Sequence, residues 1–410
     1  MKKFYTLLAT LGVTASMAAQ QLPNAGFEED WTATTPWDSN DNTITEGKSP
    51  SPWTIAHVIG MSGTGATTVG NKVAGFKSES AVELKNTEIK VLFVTKTIPG
   101  YITLGTPWNT AEGMSAKNKD GGSFGGIDFK YRPDAMSFDY KRSNASSASS
   151  TVIAYTWKGH WTQKDVPGAV SMGRPKKYNM VDRDRCVLGY SMDGCQGGDV
   201  TKTDDAALIA KIIYEINEDQ TEWNNIEIPF TYVDEAQVPE SLNVIFSAGD
   251  YFTTDPVKDY ALTVDNVKLV YYSRLSGLKF KDADIADFDP DKFDYALDEV
   301  MPTDEAALEA TTMGNSGVAK AAVELDQQKN VATITVTNDH GNDADDQNSH
   351  VYTVKFLPAG SSINDVIDMT SADVRYVDLY GNAVAADALV NGQTYIKLVN
   401  GKATKVIANN

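Results

Sequence analysis

The chain has 410 residues, more than the roughly 100–200 residues of a typical domain, which predicts two or three domains rather than a single core. Its formal net charge of −19 is spread along the chain, and such a surface repels phosphate backbones and anionic lipids. Composition therefore argues against a nucleic-acid-binding protein and against direct contact with an anionic membrane.

The first residues have the pattern of a secretory signal peptide. Lys2 and Lys3 precede an apolar run over residues 4–13, and small residues follow up to Ala19. We expect residues 1–19 to be removed and the mature chain to be exported to the periplasm, the outer-membrane surface or the medium. A buried N-terminal helix is the alternative, although Pro23 interrupts its pattern.

The rest of the sequence lacks an apolar run of the ~18 residues that a membrane helix requires, so no membrane insertion is expected.

Period-two alternation of apolar and polar residues predicts short, half-buried strands along most of the chain. The clearest cases are residues 135–140, 212–216, 242–246 and 264–270. One helix is expected over residues 204–211, because this segment begins with two aspartates and ends with a lysine, as the helix dipole favours. Many short strands separated by Gly, Asp and Asn turns predict an all-β chain of sandwiches.

Pattern changes divide the mature chain into three parts. The first, residues 20–272, ends after the strand at 264–270. Residues 273–358 contain enough strands and turns for one immunoglobulin-like β-sandwich. The last part, residues 359–410, starts with a Gly- and Ser-containing linker and continues as a small β-module whose Gly381-Asn382 and Asn400-Gly401 pairs are typical of hairpin turns.

Cys186 and Cys195 are the two cysteines of the sequence. In an oxidising compartment they would close a small loop, so a disulfide is predicted; two buried thiols are the alternative. The four histidines and two cysteines lack metal-ligand spacing, which argues against a zinc site.

Several segments in order resemble one family. The chain has Leu22-Pro-Asn-Ala-Gly-Phe-Glu-Glu-Asp-Trp31, Gly105-Thr-Pro-Trp-Asn-Thr110, Tyr131-Arg-Pro-Asp-Ala-Met-Ser-Phe-Asp-Tyr-Lys141, Trp223-Asn-Asn-Ile-Glu-Ile-Pro-Phe-Thr-Tyr232 and Ala261-Leu-Thr-Val-Asp-Asn-Val-Lys-Leu-Val270. Residues 22–272 thereby resemble the putative carbohydrate metabolism domain family of Bacteroidetes. The resemblance implies a jelly-roll β-sandwich similar to glycan-binding modules. An insert between Trp161 and Gly198, which contains both cysteines, departs from the family pattern.

The two later parts carry weaker resemblances. Residues 275–356 resemble the cadherin-like or immunoglobulin-like sandwiches that serve as spacers in bacterial surface proteins. Residues 377–402 resemble the C-terminal sorting domains of the type IX export route, with a degenerate structural remnant as the alternative.

A structural calcium is the one cofactor that the first resemblance implies. In similar carbohydrate-binding domains, acidic residues at the positions of Glu28 and Asp265 join backbone carbonyls around the ion. Calcium prefers several hard oxygen ligands, and a secreted acidic protein can supply them. The alternative is a hydrogen-bonded carboxylate that caps a bulge.

Sugar recognition requires flat aromatic faces and planar polar groups. Alternation places Tyr155, Trp157 and Trp161 on one face of a strand, which makes either a core or a stacking platform. Trp108 lies in an expected loop and is a further stacking candidate, while Arg142 ends a strand and could bind hydroxyl groups. The remaining tryptophans, Trp31, Trp37, Trp53 and Trp223, are assigned to the core.

These observations favour an exported, non-catalytic carbohydrate-binding protein that captures a polysaccharide or glycan beside surface glycan-uptake proteins. A structural or adhesive surface protein without sugar affinity is one alternative. A glycoside hydrolase is another, but its two carboxylates cannot be selected from 55 acidic residues, and signatures of other enzyme classes are absent from the sequence.

Overall fold

A computed structural model describes residues 20–34, 44–59, 66–91, 94–109, 121–143, 149–167, 177–190, 199–234, 236–253, 255–338, 349–358, 374–399 and 402–409. The chain divides into two compact units. The first comprises Met1–Ser273 with Met313–Lys320 and Asn338–Asn348, and the second comprises Arg274–Thr312, Ala321–Thr337 and Ser349–Asn410. The predicted signal peptide, residues 1–19, lies outside the described residues, so both its role and its removal stay predictions.

The first unit consists mainly of strands. In chain order its elements are β1 (Trp31–Thr34), β2 (Ile44–Pro50), β3 (Thr54–Ile55), β4 (Val58–Ile59), β5 (Ala66–Thr67), β6 (Gly70–Val73), β7 (Ala81–Lys85), β8 (Thr87–Val91), β9 (Val94–Ile98), β10 (Tyr101–Thr103), β11 (Thr106–Asn109), β12 (Gly121–Phe124), β13 (Ile127–Asp128), β14 (Ala135–Ser143), β15 (Ser150–Lys158), β16 (Trp161–Pro167), β17 (Lys177–Val181), the short helix α1 (Asp184–Val187), β18 (Val200–Lys202), β19 (Ala207–Ile216), β20 (Gln220–Pro229), β21 (Thr231–Tyr232), β22 (Ser241–Ser247) and β23 (Ala261–Val270).

Two large sheets of this unit enclose a common core. The seven-stranded sheet has the order β21-β19-β15-β22-β10-β3, with β13 also paired to β22, and the five-stranded sheet has the order β20-β14-β23-β7-β6. Alternation directs Met136, Phe138 and Tyr140 of β14 into this core, which Val244 and Phe246 of β22 enter from the other sheet. The expected all-β sandwich is confirmed.

The helix expected over residues 204–211 is wrong. The segment leads into β19, which pairs with β15 on one side and β21 on the other. The neighbouring strands bury several apolar residues of β19, among them Ile209, Ala210 and Ile212. Partners distant in sequence therefore override the local helix-dipole signal, which is worth less than ~1 kcal/mol at an exposed terminus.

Strand β15 is buried on both faces. Its Val152 and Ala154 belong to the core between the sheets. Ile153, Tyr155 and Trp157 point the opposite way into a second core, which also contains Trp161 of β16 and, from α1, Cys186 and Val187. The insert thus covers part of the outer face of the seven-stranded sheet.

The second unit also consists mainly of strands, and the immunoglobulin-like fold of residues 273–358 and the separate module at residues 359–410 stay predictions. Its elements are β24 (Leu275–Phe280), β25 (Ala283–Asp284), β26 (Asp294–Val300), a 3-10 turn (Glu305–Ala307), β27 (Leu308–Thr312), β28 (Lys320–Asp326, whose first residue belongs to the first unit), β29 (Val331–Thr337), β30 (Ser349–Leu357), β31 (Val374–Val377), β32 (Ala383–Val384), a second 3-10 turn (Ala386–Ala388), β33 (Thr394–Val399) and β34 (Lys402–Ile407).

Three sheets organise these elements, in the orders β25-β24-β27, β26-β30-β29-β28 and β32-β31-β33-β34. The first two share a core to which β29 contributes Ala332, Ile334 and Val336 on one face. The third sheet has its own small core around Tyr376 and Tyr395. Among the described residues, no helix is long and apolar enough to cross a membrane.

Candidate functional site

The predicted aromatic platform is wrong, because all three of its rings are buried. Tyr155, Trp157 and Trp161 are 0%, 1% and 3% exposed. The first two rings stack on each other with centroids 5.2 Å apart. Alternation correctly placed Tyr155 and Trp157 on one face of the strand, but the segment that begins at Trp161 covers this face and makes it a second core.

The other two predicted sugar contacts are also buried. Trp108 lies on β11 and not in the expected loop. It is 2% exposed, packs with Val166 and Met180, and has the Arg183 guanidinium 4.5 Å from its ring centroid. Arg142 is 1% exposed, and its Nε donates a hydrogen bond to Ser150 Oγ at 2.8 Å. Neither side chain presents a surface to a ligand, so both predicted roles are corrected to structural ones.

The two predicted calcium ligands approach the same loop, residues 74–80 between β6 and β7. Asp265 Oδ2 accepts hydrogen bonds from Phe76 N at 2.8 Å and Ser78 Oγ at 2.6 Å, and Oδ1 accepts one from Asn266 N at 2.7 Å. Glu28 Oε1 accepts one from Ser80 N at 3.0 Å. Hydrogen-bond donors therefore surround the carboxylate of Asp265, whereas a calcium ion would need its oxygens to be free.

Burial raises the pKa of Asp265, and the negative charge of Glu28 adds to this effect, while the hydrogen bonds from Ser78 and Phe76 oppose it. The described residues contain no group of three or more His, Cys, Asp or Glu side chains that could hold a metal ion. These contacts fit the hydrogen-bonded alternative better than a calcium site, and the calcium stays an untested prediction.

The structure describes one of the two cysteines of the predicted disulfide. Cys186 is buried in the second core, beside Gln163. Cys195 lies outside the described residues, so the disulfide stays a prediction.

A different surface has the side chains that sugar recognition requires, and it lies on the outer face of the five-stranded sheet. Phe76 and Trp223 are both partly exposed, and their ring centroids are 5.7 Å apart with an interplanar angle of 34°. Trp223 lies on β20, whereas Phe76 comes from the loop 74–80. We define the aromatic–amide surface as Phe76, Lys77, Lys141, Trp223, Asn225 and Asn266.

A buried carboxylate orients the two amides of this surface. Asp139 of β14 lies between β20 and β23, and its Oδ1 and Oδ2 accept hydrogen bonds from Asn225 Nδ2 and Asn266 Nδ2, each at 2.9 Å. Asn266 Nδ2 also donates to the Phe76 carbonyl at 3.2 Å. Because the amide nitrogens are engaged, the exposed asparagines have their carbonyl oxygens left to accept hydrogen bonds from a ligand.

The bulge at Asn266 connects the amides with the aromatic loop. Asp139 and Asp265 are directly paired across β14 and β23, and the register shifts between Ser137 and Asp139. Asn266 has a φ of 50°, in the left-handed region that asparagine tolerates better than most residues. Asp265 therefore holds the loop of Phe76, while the neighbouring Asp139 orients the two amides.

The aromatic–amide surface was not predicted from the sequence. Alternation over residues 223–227 places Trp223, Asn225 and Glu227 on one face of a strand, but the expectation that Trp223 lies in the core is wrong, because this ring is partly exposed. Phe76 is far from β20 in sequence, and its loop is held beside this strand by contacts with Asp265 and Asn266. A search for an alternating aromatic–amide pattern would have found half of this surface.

Two described carboxyl groups have a raised pKa, and neither can serve as a catalytic acid. They are Asp134 and Asp265, and burial is the largest cause in both cases. Both side chains are fully buried and accept backbone N–H groups; for Asp134 these are the N–H groups of Ser316 and Tyr272. A general acid must reach its substrate, and these groups do not.

No protein-family model matches the chain, and no curated protein matches it significantly. Two solved structures are among those with distant similarity. A putative glycoside hydrolase from Bacteroides thetaiotaomicron has 12% identity and a TM-score of 0.28, over 50% of this chain and 57% of the other. A putative glycoside hydrolase from Bacteroides vulgatus has 11% identity and a TM-score of 0.34, over 62% of this chain and 97% of the other. TM-scores this low carry no conclusion about function.

Proposed function

We propose that the chain is a non-catalytic carbohydrate-binding protein and that its aromatic–amide surface is the binding site. The observation that carries the proposal is a partly exposed pair of rings, Phe76 and Trp223, beside two amides oriented by Asp139. Ring faces pack against the apolar C–H side of a pyranose, and amide oxygens accept hydrogen bonds from its hydroxyl groups.

Binding is better supported than hydrolysis for this surface. Both oxygens of Asp139 already accept hydrogen bonds from asparagine, and the oxygens of Asp265 accept them from Phe76, Ser78 and Asn266. A glycosidase needs one carboxyl group that donates a proton and a second that acts as base or nucleophile across a cleft. Carboxylates saturated by donors are suited to orienting other groups.

The proposal includes an exported location and polysaccharide or glycan as the partner, with surface glycan-uptake proteins as neighbours. It rests on the pattern of residues 1–19 and on the acidic composition. Fractionation of the native host would test the location, because the mature chain should be found in the envelope or medium with its N-terminus near Gln20.

The binding site is tested by a glycan array on the mature chain, followed by calorimetry with the best ligand. Trp223→Ala should weaken binding at least about tenfold, which corresponds to ~1.4 kcal/mol. Tyr380→Ala is the matched control, because this ring is 93% exposed in the C-terminal module and should not affect binding. Both variants should keep the wild-type circular dichroism spectrum.

A structural or adhesive role without sugar affinity is the second candidate. The observation in its favour is the burial of Tyr155, Trp157, Trp161 and Trp108, which leaves fewer aromatic surfaces than the sequence predicted. A folded wild-type chain that binds no glycan on the array would support this role and reject the proposed binding function.

A further inference from the structure

The two rings of the aromatic–amide surface each contact a lysine, although the chain is acidic overall. Lys77 Nζ lies 4.8 Å from the Phe76 ring centroid, and Lys141 Nζ lies 4.7 Å from the Trp223 ring centroid. Each partly exposed ring thus has an ammonium group over its face.

These two ammonium groups have no ion pair with a carboxylate among the residues that the structure describes. Other lysines do form such pairs, for example Lys281 with Glu299 at 3.2 Å and Lys329 with Asp326 at 2.7 Å. The nearby carboxylate of Asp139 accepts both of its hydrogen bonds from asparagine amides. The positive charges of Lys77 and Lys141 are therefore available to a ligand.

Each lysine ammonium can leave its aromatic ring for an anionic group of a ligand at little cost. An exposed cation–π contact is weak, and lysine has a flexible four-carbon stem that can move away from the ring. An anionic group of a ligand can attract the ammonium away from the ring, which uncovers the ring face for stacking. A neutral sugar would have to displace the same ammonium without this compensation.

We propose that the aromatic–amide surface recognises an anionic sugar, in which a carboxylate or a sulfate ester contacts Lys77 and Lys141. This inference rests on the proposed carbohydrate-binding function and specifies its ligand class. The sugar ring packs on Trp223 and Phe76, and hydroxyl groups donate to the carbonyl oxygens of Asn225 and Asn266. Discrimination arises because only an anionic ligand gains charge-assisted contacts with the two ammonium groups.

The test compares acidic polysaccharides with uncharged counterparts of the same backbone. Polygalacturonate is measured against its carboxyl-reduced form, and dextran sulfate against dextran, by calorimetry at low and high salt. We expect at least one acidic polymer to bind about tenfold or more tightly than its neutral counterpart, with a preference that decreases at high salt. Selective binding of polygalacturonate identifies the carboxylate, and selective binding of dextran sulfate identifies the sulfate ester.

Two double variants separate site-specific charge from overall charge. Lys77→Gln with Lys141→Gln should abolish the preference for the acidic polymer. Lys72→Gln with Lys164→Gln removes the same amount of charge from exposed residues of β6 and β16 and should leave the preference unchanged. Equal losses in the two variants would overturn the inference, because overall charge alone would then explain the preference.

The outcomes also distinguish this inference from the proposed function. Equal affinity for acidic and neutral polymers, with loss of both in Trp223→Ala, would reject the anionic ligand and retain carbohydrate binding. Absence of binding to these polymers and to a general glycan array would reject both.

Discussion

Asp265 gives the sharpest test of how the site is held together. Replacement by Asn keeps the size of the buried side chain but puts an amide NH₂ among the donors Phe76 N, Ser78 Oγ and Asn266 N. One donor must lose its partner and face another donor. Hydrogen bonds to charged groups contribute about 1.5–3 kcal/mol, and the neutral amide avoids part of the burial cost, so we expect a loss of about 1–3 kcal/mol.

The assay is thermal unfolding followed by tryptophan fluorescence. All seven tryptophans precede residue 224, so this signal reports the first unit. A loss of 1–3 kcal/mol corresponds to roughly 2–12 °C in a domain of this size. Asp128→Asn is the control, since this aspartate is exposed on β13 and should leave the melting temperature within error.

A chelator supplies the refuting result. Because hydrogen-bond donors occupy the Asp265 oxygens, we expect EDTA to leave the wild-type melting temperature unchanged. If EDTA lowers it by several degrees, calcium restores it, and Asp265→Asn is insensitive to both, then Asp265 is a calcium ligand and the hydrogen-bond reasoning is wrong.

The remaining predictions concern a pH dependence, the amides and the second unit. The side-chain hydrogen bond with Asp182 raises the pKa of His160, so this stabilisation is fully present below the unfolded pKa near 6.5 and is lost as pH rises through the folded pKa. His160→Gln should therefore lower the melting temperature more at pH 5.5 than at pH 9, and an equal effect at both would contradict this. Asp139→Ala should weaken glycan binding measured by calorimetry because both amides lose their orientation; unchanged affinity would show that Asp139 has no positioning role. Ile334→Ala should cost about 2–5 kcal/mol in urea unfolding, since this side chain is fully buried in the second unit, and a cost below 1 kcal/mol would show that the core adjusts.

Much of the fold could be predicted from period-two alternation alone. The segments expected at 135–140, 212–216, 242–246 and 264–270 all lie within strands, namely β14, β19, β22 and β23. Alternation works here because one face of each strand must be buried and the other often is not. Alternation did not reveal that Tyr155 and Trp157 are buried, because a sequence pattern does not show whether a second layer covers the outer face of a sheet.

The site required information that alternation does not contain. Trp223 has the size of a core residue, and its exposure depends on the sheet to which β20 belongs. Phe76 lies in a loop whose position depends on Asp265, a residue almost two hundred positions later in the sequence. Asp265 was expected to bind calcium and is observed to accept hydrogen bonds from this loop. Both roles depend on the same property, a buried carboxylate near Glu28.

The double-sided burial of β15 makes this strand a natural reporter for hydrogen exchange. It pairs with β19 on one edge and β22 on the other, and side chains cover both of its faces. Backbone amides in such a strand exchange with solvent only when the surrounding structure unfolds as a whole. Exchange rates along β15 would thus measure the global free energy of unfolding of the first unit. Strand β6 pairs only with β7 among the described strands, so its amides would exchange through local fraying.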